Sequence, residues 1–190
     1  MKERKVYILR LSHRPQRDKR ATTHLFLAAR ALGADGAFYS GEKDEKIQRS
    51  IEKVNRSWGG DFKVSYVTDW KKTIREWKKK DGKIAHLTMY GLPLQQVINQ
   101  IKNIRNPLLV VVGGPKVPKE VYELADWNLS VTSQPHSEIS ALAIFLHELF
   151  EGKELSISFK DAKIIIVPQV KGKKILKLNS QQLKSFLRTI

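Results

Sequence analysis

Along most of this chain, short apolar runs rich in Val, Ile and Leu alternate with longer stretches whose apolar residues recur every three to four positions. That rhythm constrains the fold more than any other feature. "PLLVVVGG" (residues 107–114) carries five apolar residues in a row and no polar phase, as a strand covered on both faces requires. "KVYILRL" (5–11), "GAFYSG" (36–41), "FKVSYVTD" (62–69), "KIAHLTMYG" (83–91) and "WNLSVTS" (127–133) read as further strands. Between them lie helical patterns. "TTHLFLAARALGA" places Leu25, Ala28, Ala29 and Leu32 on one face, offers Thr22 or Thr23 as N-cap, and stops at Gly33. "DEKIQRSIEKVNRSWGG" aligns Ile47, Ile51 and Val54 before a Gly pair, and "WKKTIREWKKKDG", "LPLQQVINQIKNIR", "PKEVYELA" and "EISALAIFLHELF" follow the remaining strands. Strand and helix in strict alternation predict an α/β domain whose mainly parallel sheet is flanked by helices.

After Gly152 the rhythm changes. "AKIIIVPQVKGKKILKL" (162–178) reads as two β-prone runs around a turn, and "SQQLKSFLRTI" (180–190) as a short helix. The expected division is therefore a domain over residues 1–152 with a C-terminal hairpin and helix extension over 153–190.

Charge narrows the function. Among 190 residues, 35 Lys and Arg stand against 19 Asp and Glu, a formal net charge of +16, which points to a polyanionic partner, nucleic acid first. Three clusters carry it: Lys2 to Arg20, the run from Lys71 to Lys83 around Trp70 and Trp77, and the tail from Lys171 to Arg188. The middle run serves equally well as a solvated helix face. No apolar run reaches the ~20 residues of a membrane span and no leader pattern is visible, so a cytosolic protein that does not enter the membrane is expected. Without cysteine there are no disulfides, thiolate metal sites or thiol nucleophiles, and the five histidines form no H-E-x-x-H pair, so no metal is expected.

In an open parallel sheet, ligands bind at the carboxyl ends of the strands. Three turns there are rich in Gly, Pro and small polar residues: "LTMYGLP" (87–93), "VGGPKVP" (112–118) and "TSQPHSE" (132–138). Each lets backbone approach a ligand closely, and each alone also fits an ordinary tight turn. Neither G-x-G-x-x-G after the first strand nor a P-loop is present, which argues against the common dinucleotide and NTPase sites. Ser137 is placed to cap the helix that follows, Pro135 stiffens the loop, and His136 is either a helix-entry histidine or a ligand contact. Leu142, Ile144, Phe145, Leu146 and Leu149 read as core.

"LLVVVGGPKVPKEVYELADWNLSVTSQPHSEISALAIFLHEL" resembles the cofactor-binding half of the SPOUT methyltransferases. With "RLSHRPQRDKRATTHLFLAARALGA" it looks like the archaeal tRNA family that methylates the ribose 2′-oxygen of cytidine 56, over essentially the whole chain. The resemblance implies a C-terminal trefoil knot, S-adenosylmethionine as cofactor, the T-arm of tRNA as substrate and a homodimer, whose interface would draw on Leu142, Ile144, Phe145, Leu146 and Leu149. It implies cofactor contacts from Leu87, Met89, Tyr90 and Gly91, from Gly113, Gly114, Pro115, Lys116 and Val117, and from Val131, Thr132, Ser133, Gln134, Pro135, His136, Ser137 and Glu138. It also implies a catalytic arginine in the first loop: Arg20, with Arg17 and Arg14 next, their alternative role being phosphate binding alone. Asp18 would pair with a neighbouring arginine. The competing readings are a non-catalytic basic RNA-binding protein and a methyltransferase acting on another RNA site.

Overall fold

A computed structural model describes residues 4–18, 20–114 and 116–178. Pro115 and the expected helix over 180–190 lie outside the described residues. Strands β1 (Val6–His13), β2 (Gly36–Gly41), β3 (Lys63–Tyr66), β4 (Lys83–Pro93), β5 (Leu108–Val112) and β6 (Trp127–Ser130) form one sheet in the order β3-β2-β1-β5-β4-β6. Every neighbouring pair is parallel, so the sheet is parallel throughout. The helices are α1 (Ala21–Ala31), α2 (Glu45–Trp58), α3 (Trp70–Lys79), α4 (Leu94–Asn103), α5 (Lys119–Leu124) and α6 (Glu138–Phe150). They divide between the two faces. Val6 and Ile8 of β1 and Val110 and Val112 of β5 pack with α1, α2, α4 and α6, whereas Leu9 and Leu11, Leu109 and Val111 pack with Ile74 of α3 and Val121 of α5. The unbroken apolar run of β5 thus has a cover for both phases of its pleat.

Three local expectations change. Helix α1 begins at Ala21 with Arg20 as N-cap and no side-chain cap bond, because Thr22 is buried with its Oγ1 2.9 Å from Nδ1 of the buried His13. A buried ring nitrogen needs a partner more than a helix end on the surface does. Ile144 is 43% exposed, whereas Leu142, Phe145, Leu146 and Leu149 are buried, so Ile144 leaves the core and sits on the outward phase of α6. Strand β4 runs on to Pro93, which takes the N-cap of α4. Its register against β6 explains the extra length. Leu87 faces Leu129, and after an excursion of four residues Leu92 faces Leu129 again.

The described residues end with a 3-10 turn (Lys153–Ser156) and an antiparallel hairpin, β7 (Ile164–Val167) and β8 (Lys174–Lys177). Backbone bonds tie this extension to the end of α2: Gly60 N–H donates to Lys160 O at 2.9 Å and Lys163 N–H to Ser57 O at 3.0 Å. Gly59 has φ 77°, and a Cβ there would lie 2.3 Å from Lys160 O, so this approach demands glycine. Buried Arg30 fills the seam: Nε donates to Asn55 Oδ1 at 2.8 Å, Nη2 donates to Gly59 O, and the guanidinium sits 4.3 Å from the Phe159 ring centroid.

Candidate active site

The excursion within β4 and the turns after β5 and β6 meet at the carboxyl edge of the sheet and enclose a cavity of about 310 Å³, of a size for a small ligand. Residues Leu87, Met89 and Tyr90 form one wall, Gly113, Gly114 and Val117 a second, and Val131 and Gln134 to Glu138 the third. The sequence singled out all of these. Thr88, Val112, Tyr122, Leu129 and Ala141 also line the cavity. Thr88 and Val112 fall within the flagged stretches without having been named as contacts, whereas Tyr122, Leu129 and Ala141 sit in α5, β6 and α6, beyond any search confined to those stretches. Gly91, Lys116, Thr132 and Ser133 do not line it. Gly91 is pressed against the backbone of β6, Lys116 and Ser133 are exposed, and the Thr132 hydroxyl accepts from Gln134 N–H at 3.3 Å to shape the turn.

Helix α6 opens as its sequence indicates. Ser137 Oγ accepts from Ser140 N–H at 3.2 Å, and Glu138 occupies the first turn, where a carboxylate is favoured. His136 is exposed, with Nδ1 3.0 Å from Ser137 O and 3.4 Å from Ser140 Oγ, so it both enters the helix and faces the cavity.

A polar relay supports the cavity from below. Buried His86 of β4 sits 2.8 Å through Nδ1 from Asn128 Oδ1, and Asn128 Nδ2 donates to Tyr122 O at 2.9 Å. The amide oxygen can only accept, so His86 donates through Nδ1–H and its Nε2, buried without a partner, stays bare. Tyr122 packs edge-on against His86, with centroids 4.7 Å apart, and its hydroxyl is 3.2 Å from Thr88 Oγ1 at the cavity wall. Burial pushes the His86 imidazole below its usual range, and burial likewise lowers His13. A group with a depressed folded pKa is neutral when folded and charged when unfolded at mildly acidic pH, so the unfolded chain binds more protons there. Stability from both histidines is therefore present above ~6.5 and lost as pH falls below it. Thermal melts at pH 7.5 and 5.5 should show a lower Tm at 5.5, with a smaller drop in His86→Gln; equal midpoints for the native chain would contradict this.

The first loop springs from a break in β1. Its register against β2 shifts between Arg10 and His13, with Ser12 at φ 55°. Arg14, Arg17 and Arg20 are all exposed, and none lines the cavity, though the loop leaves the same carboxyl edge of the sheet. Asp18 turns its carboxylate to the backbone rather than to an arginine side chain, accepting from Arg14 N–H at 3.1 Å. In the middle cluster, Lys71, Lys72 and Lys78 pair with Glu120, Glu76 and Asp126. Trp77 packs on Tyr7 with centroids 5.4 Å apart, so that cluster is a partly neutralised helix face. Arg10 is the arginine that sequence reasoning missed: it is 3% exposed and its Nη1 donates to Gly113 O at 2.5 Å. A period-two count from Val6 and Ile8 puts it on the face of β1 that packs with α1, α2, α4 and α6.

No helix among the described residues is long and apolar enough to cross a membrane. No group of three or more His, Asp or Glu among them is arranged to hold a metal.

Solved structures share the architecture. The SpoU methyltransferase AviRb from Streptomyces viridochromogenes, in complex with AdoMet, superposes with a TM-score of 0.59 at 12% identity, over 80% of this chain and 58% of that one. The A. aeolicus TrmH/SpoU tRNA modifying enzyme gives 0.57 at 14% identity, over 100% of this chain and 87% of that one. Sequence relatives are much nearer. A tRNA (cytidine(56)-2′-O)-methyltransferase of Methanopyrus kandleri is 49% identical over 93% of this chain and 98% of its own length. Its counterpart in Methanocaldococcus jannaschii is 53% identical over 90% and 96%. Residues 58–176 match the family described as tRNA ribose 2′-O-methyltransferase, aTrm56. On the family match and on identity near one half across nine-tenths of its length, this chain belongs to the aTrm56 tRNA ribose 2′-O-methyltransferases.

Proposed function

We propose that this protein transfers the methyl group of S-adenosylmethionine to the ribose 2′-hydroxyl of cytidine 56 in the T loop of tRNA. The observation that carries this reading is the convergence of the β4 excursion and the turns after β5 and β6 on one cavity, in a chain about half identical to enzymes named for that reaction. The cavity suits a nucleoside. Leu87, Val112, Leu129 and Ala141 offer apolar surface, Gly113 brings bare backbone to the wall, and Gln134, Ser137 and Glu138 supply polar groups at the rim. The cofactor-binding set is Leu87, Met89, Tyr90, Gly113, Gly114, Val117, Val131 and Gln134 to Glu138, joined by Thr88 and Tyr122.

When bound, the cofactor supplies a methyl group on a positively charged sulfur. That carbon would be open to in-line attack by the 2′-oxygen with the sulfur as leaving group, so the chain's own residues have to align the hydroxyl with it and let the hydroxyl proton depart. Cavity residues hold the donor, while the first loop presents the ribose within ~3 Å of it. Arginine cannot take the proton, since its pKa exceeds ~12. Arg20 instead stabilises the developing negative charge on the 2′-oxygen, an RNA phosphate accepts or relays the proton, and Arg17 and Arg14 grip the backbone.

In this reading the catalytic unit spans residues 1–152 and the extension 153–190, the C-terminal part of the catalytic unit is threaded as a trefoil knot, and the protein works in the cytoplasm as a homodimer. Exposed Met89, Tyr90, Leu92 and Ile144 support pairing of two copies beside the cavity. The deciding experiment is methyl transfer to unmodified archaeal tRNA followed by mapping of the label. Methyl on the ribose of cytidine 56 is expected; label on a base, or on a different nucleotide, would reject the assignment. Calorimetry that detects no S-adenosylmethionine binding at tens of micromolar would turn the reading toward a non-catalytic RNA-binding protein.

A further inference from the structure

Arg10 occupies a position where its two inward-facing strand mates, Val6 and Ile8, are fully buried aliphatic side chains. An aliphatic residue would continue that face without desolvating a charge, so a guanidinium here runs against packing economy. Its donors explain where it is used. Nη1 donates to Gly113 O at 2.5 Å and lies 3.4 Å from Glu138 Oε1, while Nε is buried with no partner. Gly113 belongs to the turn after β5 and Glu138 opens α6, so the two contacts lie on different walls of the cavity. Arg10 itself does not line it. At Gly114 the neighbouring space is also shaped by this side chain, since a Cβ there would lie 3.8 Å from Arg10 Nη2.

We propose that Arg10 is a positioning residue that fixes the spacing of the Gly113 turn and the α6 entrance, and so sets the width of the cofactor pocket. The planar guanidinium is suited to this because its N–H directions are rigidly related, and β1, in the middle of the sheet, gives it a firm base. A lysine keeps the charge, but its ammonium hydrogens turn freely on a flexible stem, so it does not hold the two partners in a set geometry. Glu138, 41% exposed in its side chain, is thereby held in one orientation at the rim instead of sampling solvent. The inference rests on the methyltransferase reading for the identity of the ligand, and on the geometry alone for the link between the walls.

The test uses the full chain with Arg10→Met and Arg10→Lys. Calorimetric Kd for S-adenosylmethionine, the KM for tRNA, and hydrogen exchange at residues 113–117 are read for each. Loss of a charged hydrogen bond that orders the wall should raise the cofactor Kd by about 10- to 100-fold in Arg10→Met, with the KM for tRNA nearly unchanged. Arg10→Lys should recover part of that loss, and exchange at the Gly113 turn should quicken in both. Combining Arg10→Met with Glu138→Gln should cost less than the two separate losses added, because each removes the same link. If Arg10→Met fails to fold, Arg10→Lys decides on the same readouts. Native cofactor affinity and native exchange in the folded variants would overturn the inference, as would a lower Tm with both readouts intact. A native chain that binds no cofactor would sink the methyltransferase reading instead, and unchanged exchange in Arg10→Lys would then still overturn the positioning role.

Discussion

Replacing Gly91 with alanine is expected to unfold the wall of the active site and to lower the Tm of the whole domain. The added Cβ would lie 2.4 Å from both Asn128 C and Leu129 N. Those atoms are backbone of β6, held in register by the pairs Leu92 to Leu129 and Pro93 to Ser130, so no side chain can swing aside. The two strands must part. Such overpacking against main chain belongs at or above the top of the usual range, about 3 kcal/mol, which for a chain of this length lowers Tm by roughly 6–12 °C. Cofactor binding should fail with it, since residues 87–90 form a wall only while the strand is pinned at both ends. Gly114→Ala is the control: among the described residues its Cβ meets only Arg10 Nη2, at 3.8 Å, and it should melt close to the native chain. Circular dichroism melts and calorimetry with S-adenosylmethionine measure both effects, and a Gly91→Ala protein with native Tm would show that β4 and β6 do not approach as described.

Arg20→Ala should lower kcat by about 10²- to 10³-fold, the usual loss when one donor to a developing oxyanion is removed, while leaving cofactor affinity nearly unchanged. Arg20 is exposed and does not line the cavity, so the donor pocket does not depend on it. Its position as N-cap of α1 adds no complication, because its side chain makes no capping bond. Arg14→Ala and Arg17→Ala should behave differently, raising the KM for tRNA and lowering the slope of log affinity against log salt by about one each. Single-turnover methylation with cofactor and tRNA both saturating separates the two patterns. Turnover retained in Arg20→Ala would move the catalytic role to another group.

The alternation of strand and helix was readable because each element carries its own period, and the carboxyl-edge turns were readable because Gly, Pro and small polar residues mark them. Strand order was not. It depends on which apolar runs meet across the chain, and nothing local in "LLVVV" says that it lies between β1 and β4. The excursion of β4 was hidden for a related reason: Leu87 and Leu92 both face Leu129, and a period-two pattern has no term for a strand that leaves its partner and returns. Thr22 looked like a cap because capping is a local rule, but the demand of buried His13 is tertiary. Arg10 looked like one more basic residue in a basic terminus. Its phase in β1 was the available signal, and it becomes informative only once β1 is known to be covered on that face. Tyr122 was hidden because α5 reaches the cavity from the opposite face of the sheet to α6.

The return of β4 to β6 also bears on how quickly such a protein could work. Residues between the two anchor points are ordered by the sheet on either side, before any small molecule arrives, so little conformational entropy is lost there on binding. Donor and spent product then exchange against a surface that is already shaped, with no folding and unfolding of that wall in each cycle.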